Sequence, residues 1–298
     1  MKNSDQQTTQ GRFLSDSHIE AYKNGVFKKL FQAINEDPEL SLEIRLNDTA
    51  IVYYHKGKIL TTSIDPNGKP KVNMLDKQYY SNSSLKKPSS DIENIDNLNN
   101  IEIIRKYFNI AKRLVYLYKI GEEFTFQQNT ALGNHSFDSR YLVVDMEWQF
   151  SQSKIKQEDR IGRTRIDLII VDNVKNESGY NDIYLAELKS GIKATEGTSG
   201  VIDHVDKTNE IICNQNACDS LITDVTNIID IKSQLGIFKG AIKDYNFAKK
   251  PKMMLICSYR GDLEKQKLEG VAQKAIERAK KINMEEPKCI LHNALIQL

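Results

Sequence analysis

Apolar positions along the chain follow two registers. Over residues 17–35, "SHIEAYKNGVFKKLFQAIN", Ile19, Tyr22, Val26, Phe27, Leu30, Phe31 and Ile34 recur three or four apart, which predicts an amphipathic helix. The segments "SLEIRL", "TAIVYYH", "KILTTSI" and "KVNML" then read as short strands, separated by the turn signals Asn47-Asp48, Lys56-Gly57 and "DPNGK". Together they predict a small antiparallel meander beside a helix. Residues 81–100 are rich in Ser and Asn and poor in large apolar groups, as expected of a linker.

From residue 101 the pattern changes. "IEIIRKYFNIAKRLVYLYKI" is strongly amphipathic, and "EEFTFQQNTAL" (122–132) predicts a second, shorter helix. Strand candidates follow at 141–150, 165–172 and 182–188. A long polar stretch leads to a helical segment at 227–245, an apolar strand at 252–259, a charged helix at 262–282 and a last strand from Cys289. Near-continuous apolar strands among helices predict a sheet covered on both faces. The expected fold class is therefore α/β, with a mixed central sheet in residues 98–298 and a small α+β domain in residues 1–97.

Composition changes this picture little. Hydrophobic residues at 40% and charged residues at 28% suit an ordinary soluble globular protein. A formal net charge of +2 does not announce a nucleic-acid binder, so any electrostatic footprint must be local. No apolar run approaches the roughly 18–20 residues that span a bilayer. The polar start, "MKNSDQQTTQGRF", lacks the apolar centre of a signal peptide, so a cytoplasmic protein is expected. Cys213, Cys218, Cys257 and Cys289 form no disulfide or zinc framework and read as thiols of a reducing compartment.

The chemistry lies in acids placed on core-like strands. Asp145 and Glu147 are two apart and are expected to share a strand face. Asp167 follows a loop carrying Arg160, Arg163 and Arg165, while Glu187 and Lys189 close the third strand on a common face. Unpaired carboxylates in a sheet interior cost several kcal/mol per ion, so a cluster of them calls for a cation. Mg²⁺, with Mn²⁺ as its substitute, takes hard oxygen ligands of this kind. The amine of Lys189 would then lie beside an attacking water or a scissile phosphate.

Asp167, nineteen intervening residues, and Glu187-Leu188-Lys189 on consecutive strands resemble the PD-(D/E)XK nuclease superfamily, which includes restriction endonucleases and RecB-type nucleases. The resemblance implies a restriction-endonuclease-like αβββαβ core over Glu122–Tyr259, about half the chain. It also implies metal ligation by Asp167 and Glu187, joined by Glu147 or by a helix acid at Glu122 or Glu123, with Lys189 as the catalytic amine. RecB-like members carry Gln-x-x-x-Tyr on the following helix; here Gln234 is followed four residues later by Phe238, a departure from the motif. Ile166 replaces the Pro that precedes the Asp in the family pattern. The implied activity is Mg²⁺-dependent phosphodiester hydrolysis, in DNA before RNA, serving restriction, repair or antiviral defence. A homodimer or a partner protein of a defence system is the expected assembly.

Plainer roles exist for each residue. Glu187 and Lys189 could form an edge-strand ion pair, Asp167 could pair with Arg165, and Asp145 suits a structural role better than Glu147 does. Glu122 and Glu123 could simply favour the first turn of a helix. Residues 239–252 hold five Lys and one Asp. Lys239 and Lys243, with Lys193, Arg163 and Arg165, could line a phosphate groove or form a solvated helix end. Segments 42–75 hold no clustered acids or histidines, so the N-terminal domain is expected to serve specificity, dimerisation or partner binding rather than supply catalytic groups. Two further readings stay open: a catalytically silent nuclease fold that binds DNA or protein, and an RNA-cleaving effector.

Overall fold

The computed structural model describes residues 11–80, 95–118, 121–150, 165–195 and 200–293. Among them are seven α-helices and two sheets. The first sheet is the expected meander: β1 (Ser41–Arg45), β2 (Thr49–Tyr54), β3 (Gly57–Ile64) and β4 (Pro70–Met74), antiparallel in chain order. The periodic stretch before it forms two helices rather than one, α1 (Asp16–Lys23) and α2 (Lys28–Glu36). The break falls at Gly25, where a Cβ would lie 2.9 Å from the backbone of Ala21. No larger residue fits that close turn.

The next helix, α3 (Ile101–Tyr118), packs on this meander. The Tyr107 hydroxyl donates to the Ile59 carbonyl and accepts from Leu75 N at 2.8 Å. Val115 lies so close to Gly57 that a Cβ there would stand 2.4 Å from a Val115 methyl. A boundary at residue 97 would therefore part α3 from the sheet it covers. The predicted linker, residues 81–100, falls mostly outside the described residues, which resume with a 3₁₀ turn at Ile95–Asn99.

The second sheet has five strands in chain order: β5 (Tyr141–Gln149), β6 (Arg165–Asp172), β7 (Ile183–Ser190), β8 (Lys252–Tyr259) and β9 (Lys288–Asn293). β5, β6 and β7 pair antiparallel, whereas β7–β8 and β8–β9 are parallel. Helix α4 (Glu122–Gly133) precedes β5, and α7 (Asp262–Lys281) links β8 to β9. The polar stretch after β7 is helical, which its composition concealed: α5 (Val201–Cys213) and α6 (Gln215–Gln234) fill the crossover. The helix expected at 227–245 instead ends at Gln234. Gly236, at φ 71°, closes it with the Gly236 amide on Ser233 O and the Ile237 amide on Lys232 O.

Both faces of this sheet are covered, as its apolar strands require. Val143, Met146, Leu168, Ile170, Ala186 and Leu188 pack with Ala131 of α4 and with Ile51 and Tyr53 of β2. Leu142, Val144, Ile169, Val171, Ile183 and Leu185 join α6 and the meander in one core, while Leu255 and Cys257 meet α5 and α7. The meander thus lies against the central sheet. Its β2–β3 turn thereby reaches the strand ends that carry the acids. Among the described residues, no helix is long and apolar enough to cross a membrane.

Candidate functional site

The acids meet where two strands part. The β6–β7 ladder runs from Val171↔Ile183 to Leu168↔Ala186 and stops there. Asp167, the next residue of β6, fills the opening: its Oδ2 accepts from Leu188 N at 3.0 Å. Glu187 and Lys189 lie on one face of β7 as their spacing predicts, and Lys189 Nζ stands 2.7 Å from Glu187 Oε1. The other oxygen, Oε2, lies 3.1 Å from His204 Nδ1 on α5. Glu187 and Lys189 are only 5% and 4% exposed, so both charges depend on partners rather than water.

Glu147 enters through a backbone irregularity. It has φ 57°, a left-handed conformation uncommon outside glycine and costing on the order of 1–3 kcal/mol. Around it the strand loses its alternation. Met146 packs with Val143 and Leu168, yet Trp148 packs with Leu142 and Val144. Asp145 and Glu147 therefore do not serve one point, contrary to their spacing. Asp145 pairs with Arg12 and Arg45. Glu147 meets Arg165 Nε at 2.7 Å and accepts from Gln127 Nε2 at 2.9 Å. Gln127, on α4, also donates to the backbone oxygen of Asp167 at 2.6 Å and so ties the two strands together.

A lysine from the meander completes the cluster. Lys56, in the β2–β3 turn, places Nζ 3.0 Å from Asp167 Oδ1 and 3.1 Å from Glu147 Oε1, and lies over the Phe124 ring. Burial works against its charge, but Asp167 and Glu147 outweigh it and hold the ammonium above the ordinary lysine range. Glu123, on the first turn of α4, stands within electrostatic reach of the same groups. Burial raises its carboxyl above the ordinary range; Lys189 and Lys56 oppose the shift, and Asp167 and Glu187 add to it.

Sequence and structure part company over several residues. Glu122 is exposed and pairs with Arg260 at 2.6 Å. Arg165 is at the site but largely exposed. Arg163 lies outside the described residues, as does the Lys193 side chain. Gln234, Lys239 and Lys243 belong to the opposite end of the sheet. Gln234 is exposed at the end of α6, and Lys239 pairs through its backbone with residues 135–137 ahead of β5. The chain beyond Lys243 packs on the β6–β7 turn, with Tyr245 Oη on Asn173 at 2.5 Å and Asn246 N on Asn181. Lys239 and Lys243 thus do not line a groove with Arg165, because α6 ends early and its exit loop runs away from the acids.

Lys56, Gln127 and His204 escaped the sequence reading. The N-terminal segment, expected to supply no catalytic group, does send a charged side chain to the acids: Lys56 meets Asp167 across 111 residues. Only His204 had a signal, as the sole histidine near Glu187 in sequence. Among the described residues, no group of three or more His, Cys, Asp or Glu is arranged to hold a metal ion. Comparison of the chain with family models, curated proteins and solved structures yields no match.

Proposed function

We propose that the chain is a metal-dependent nuclease hydrolysing phosphodiester bonds, DNA in the first place, on a restriction-endonuclease-like core. One observation carries this reading: Asp167, Glu187 and Lys189 converge at the parting of two strands, in a run of helix, three antiparallel strands, helices and a parallel strand. Glu147 and Glu123 add acids to the same place.

The donor set fits Mg²⁺ in its chemistry. Carboxylate oxygens are the hard ligands it takes, and an ammonium already bridges two of the acids, so a cation is favoured between them. The buried Gln127 Oε1, beside Glu147, has no hydrogen-bond donor. Asp167, Glu187 and Glu147 would hold the ion, which when bound supplies a lowered water pKa and a counter-charge for the phosphate. The remaining work falls to the chain itself. The Leu188 amide aims Asp167, and Lys189 with His204 fixes both oxygens of Glu187. The Lys189 ammonium presents positive charge where the attacked phosphate gains negative charge. Arg165, exposed at the edge, can meet a backbone phosphate.

A second reading, a silent nuclease fold that binds DNA or protein, draws on the pairing of Asp167, Glu187 and Glu147 with cations. Incubation of plasmid, single-stranded DNA and RNA with Mg²⁺ or Mn²⁺ distinguishes the two. We expect DNA cleavage that is lost in Asp167→Ala and Glu187→Ala while both variants remain folded. A wild-type protein that cleaves none of these substrates and gives no heat on metal titration would leave the silent reading. Cleavage of RNA alone would identify an RNA-directed effector.

A further inference from the structure

The β2–β3 turn delivers a charge into the acids at a conformational cost. In the β1–β2 hairpin the two left-handed positions are Asn47 and Asp48, at φ 59° and 52°, residues that accept this conformation readily. In the β2–β3 hairpin, where only two residues separate the paired Tyr54 and Gly57, the left-handed positions are His55 and Lys56, at φ 45° and 61°. Lys56 occupies the place where such two-residue turns favour glycine. Ordinary turn chemistry gives no reason for lysine there; the reason lies beyond the turn, at its Nζ.

The turn's backbone is firmly seated. Gly57 is pressed against Val115 of α3, and His55 Nδ1 lies 3.1 Å from Thr125 Oγ1 of α4. The movable part is the four-carbon stem of Lys56, whose side chain is 10% exposed beside acids at 7% and 9%. Its ammonium, within 3.1 Å of both acids, stands where an ion shared by Glu147 and Asp167 would stand. Arg165 holds the other oxygen of Glu147, so among the described residues Lys56 is the one cation shared by both acids, and a divalent ion in its place would bring twice its charge.

We propose that Lys56 is a built-in counter-ion that occupies the cation position between Glu147 and Asp167, and that a divalent metal binds by displacing its ammonium. The inference rests on the nuclease reading's metal site and adds its regulation: the N-terminal sheet sets the metal concentration at which the site fills. The displaced stem can swing toward solvent without moving the hairpin. A lysine that merely tied the two sheets together would instead support the metal site by holding its acids in place.

Calorimetric titration of the full chain with Mn²⁺ separates the possibilities, using wild type, Lys56→Met, Lys56→Arg and Lys56→Met combined with Asp167→Asn. Displacement predicts that Lys56→Met binds Mn²⁺ more tightly by on the order of tenfold or more, the scale of a lost charge-assisted competitor. Lys56→Arg keeps the charge and should bind no more tightly than wild type, and the Asp167→Asn combination should abolish the gain. The melting temperature should rise more on Mn²⁺ addition in Lys56→Met than in wild type. Equal or weaker binding in Lys56→Met overturns displacement while leaving the metal site standing. Absence of binding in every protein overturns the metal site, and displacement with it. Should Lys56→Met fail to fold, Lys56→Gln is read by the same outcomes.

Discussion

The molecule holds two clusters of opposite charges on the same strand, and they differ in what covers them. Around Asp145, Arg12 and Arg45 grip the two carboxylate oxygens, Lys232 joins Glu43 at 2.8 Å and the Val144 carbonyl at 2.9 Å, and Asp224 accepts from Trp148. Asp145, Glu43 and Lys232 are at most 1% exposed. Around Asp167, by contrast, the cluster reaches the surface through Arg165, whose side chain is largely exposed, while Lys56 and Lys189 stay mostly covered. Asp145 and Glu147 are separated by one residue, yet Asp145 is sealed between three parts of the fold and Glu147 meets the exposed Arg165. Charge type alone does not mark a site. Access does.

The sharpest way to break this contrast is Asp145→Asn. It takes from the buried Arg12 and Arg45 the carboxylate they share, leaving Arg12 only Asp224, at 3.6 Å, as a carboxylate partner among the described residues, which costs about 3–5 kcal/mol. Urea unfolding should show that loss, whereas Asp167→Asn should stay within about 1 kcal/mol of wild type, since removing one acid from a cluster also removes repulsion. The same contrast has a pH signature. Burial disfavours the Asp145 carboxylate, but Arg12 and Arg45 outweigh it and hold its carboxyl below the ordinary value of 3.8. Its stabilisation is therefore full above that value and lost as pH falls through the depressed native one. Asp145→Asn should flatten this acid limb. Equal stability losses at positions 145 and 167 would erase the distinction between the clusters.

A smaller effect tests the open cluster from within. Lys189→Met keeps the aliphatic stem and removes the charge facing Glu187. Single-turnover cleavage should fall on the order of a hundredfold, with modest change in Mn²⁺ affinity, because the ammonium matters most as charge builds on the phosphate. Unchanged turnover in an active wild-type background would reduce Lys189 to a partner of Glu187. The smallest effect is expected at the far end of the sheet. Asn173, beside which the Lys243 loop packs, is six residues along β6 from Asp167, roughly 20 Å at strand spacing. That exceeds the Debye length of about 8 Å at physiological salt. Lys239→Ala with Lys243→Ala should change cleavage by no more than about twofold; a large loss would mean that nucleic acid wraps to that end.

The pairing of Glu187 with Lys189 was legible because strand alternation is a local rule, and both residues obey it. Asp167 was legible for the same reason, as an acid at the start of an otherwise apolar strand. The rule failed between Val143 and Glu147, where the register shifts ahead of Asp145 and Glu147 turns left-handed, and no glycine marks either place. It failed again in the crossover. α5 and α6 bury Val201, Val205, Leu221, Val225 and Ile228 among many polar residues, so their apolar stripe is too diluted to read.

Local patterns thus determined the meander, the helix and three strands from α4 to β7, the strand β8, and the charges that share a face of β7. These depend on spacings of two to four residues, which backbone geometry converts directly into direction. Only the tertiary structure decided which charges reach the acids from other elements. Lys56 reaches Asp167, His204 reaches Glu187 and Arg12 reaches Asp145 across gaps that no local period encodes. The Lys56 contact exists because the meander must bury Ile51 and Tyr53 against the central sheet, and that packing carries the β2–β3 turn to the acids. Apolar burial sets the docking, and the charges meet where the docking leaves them.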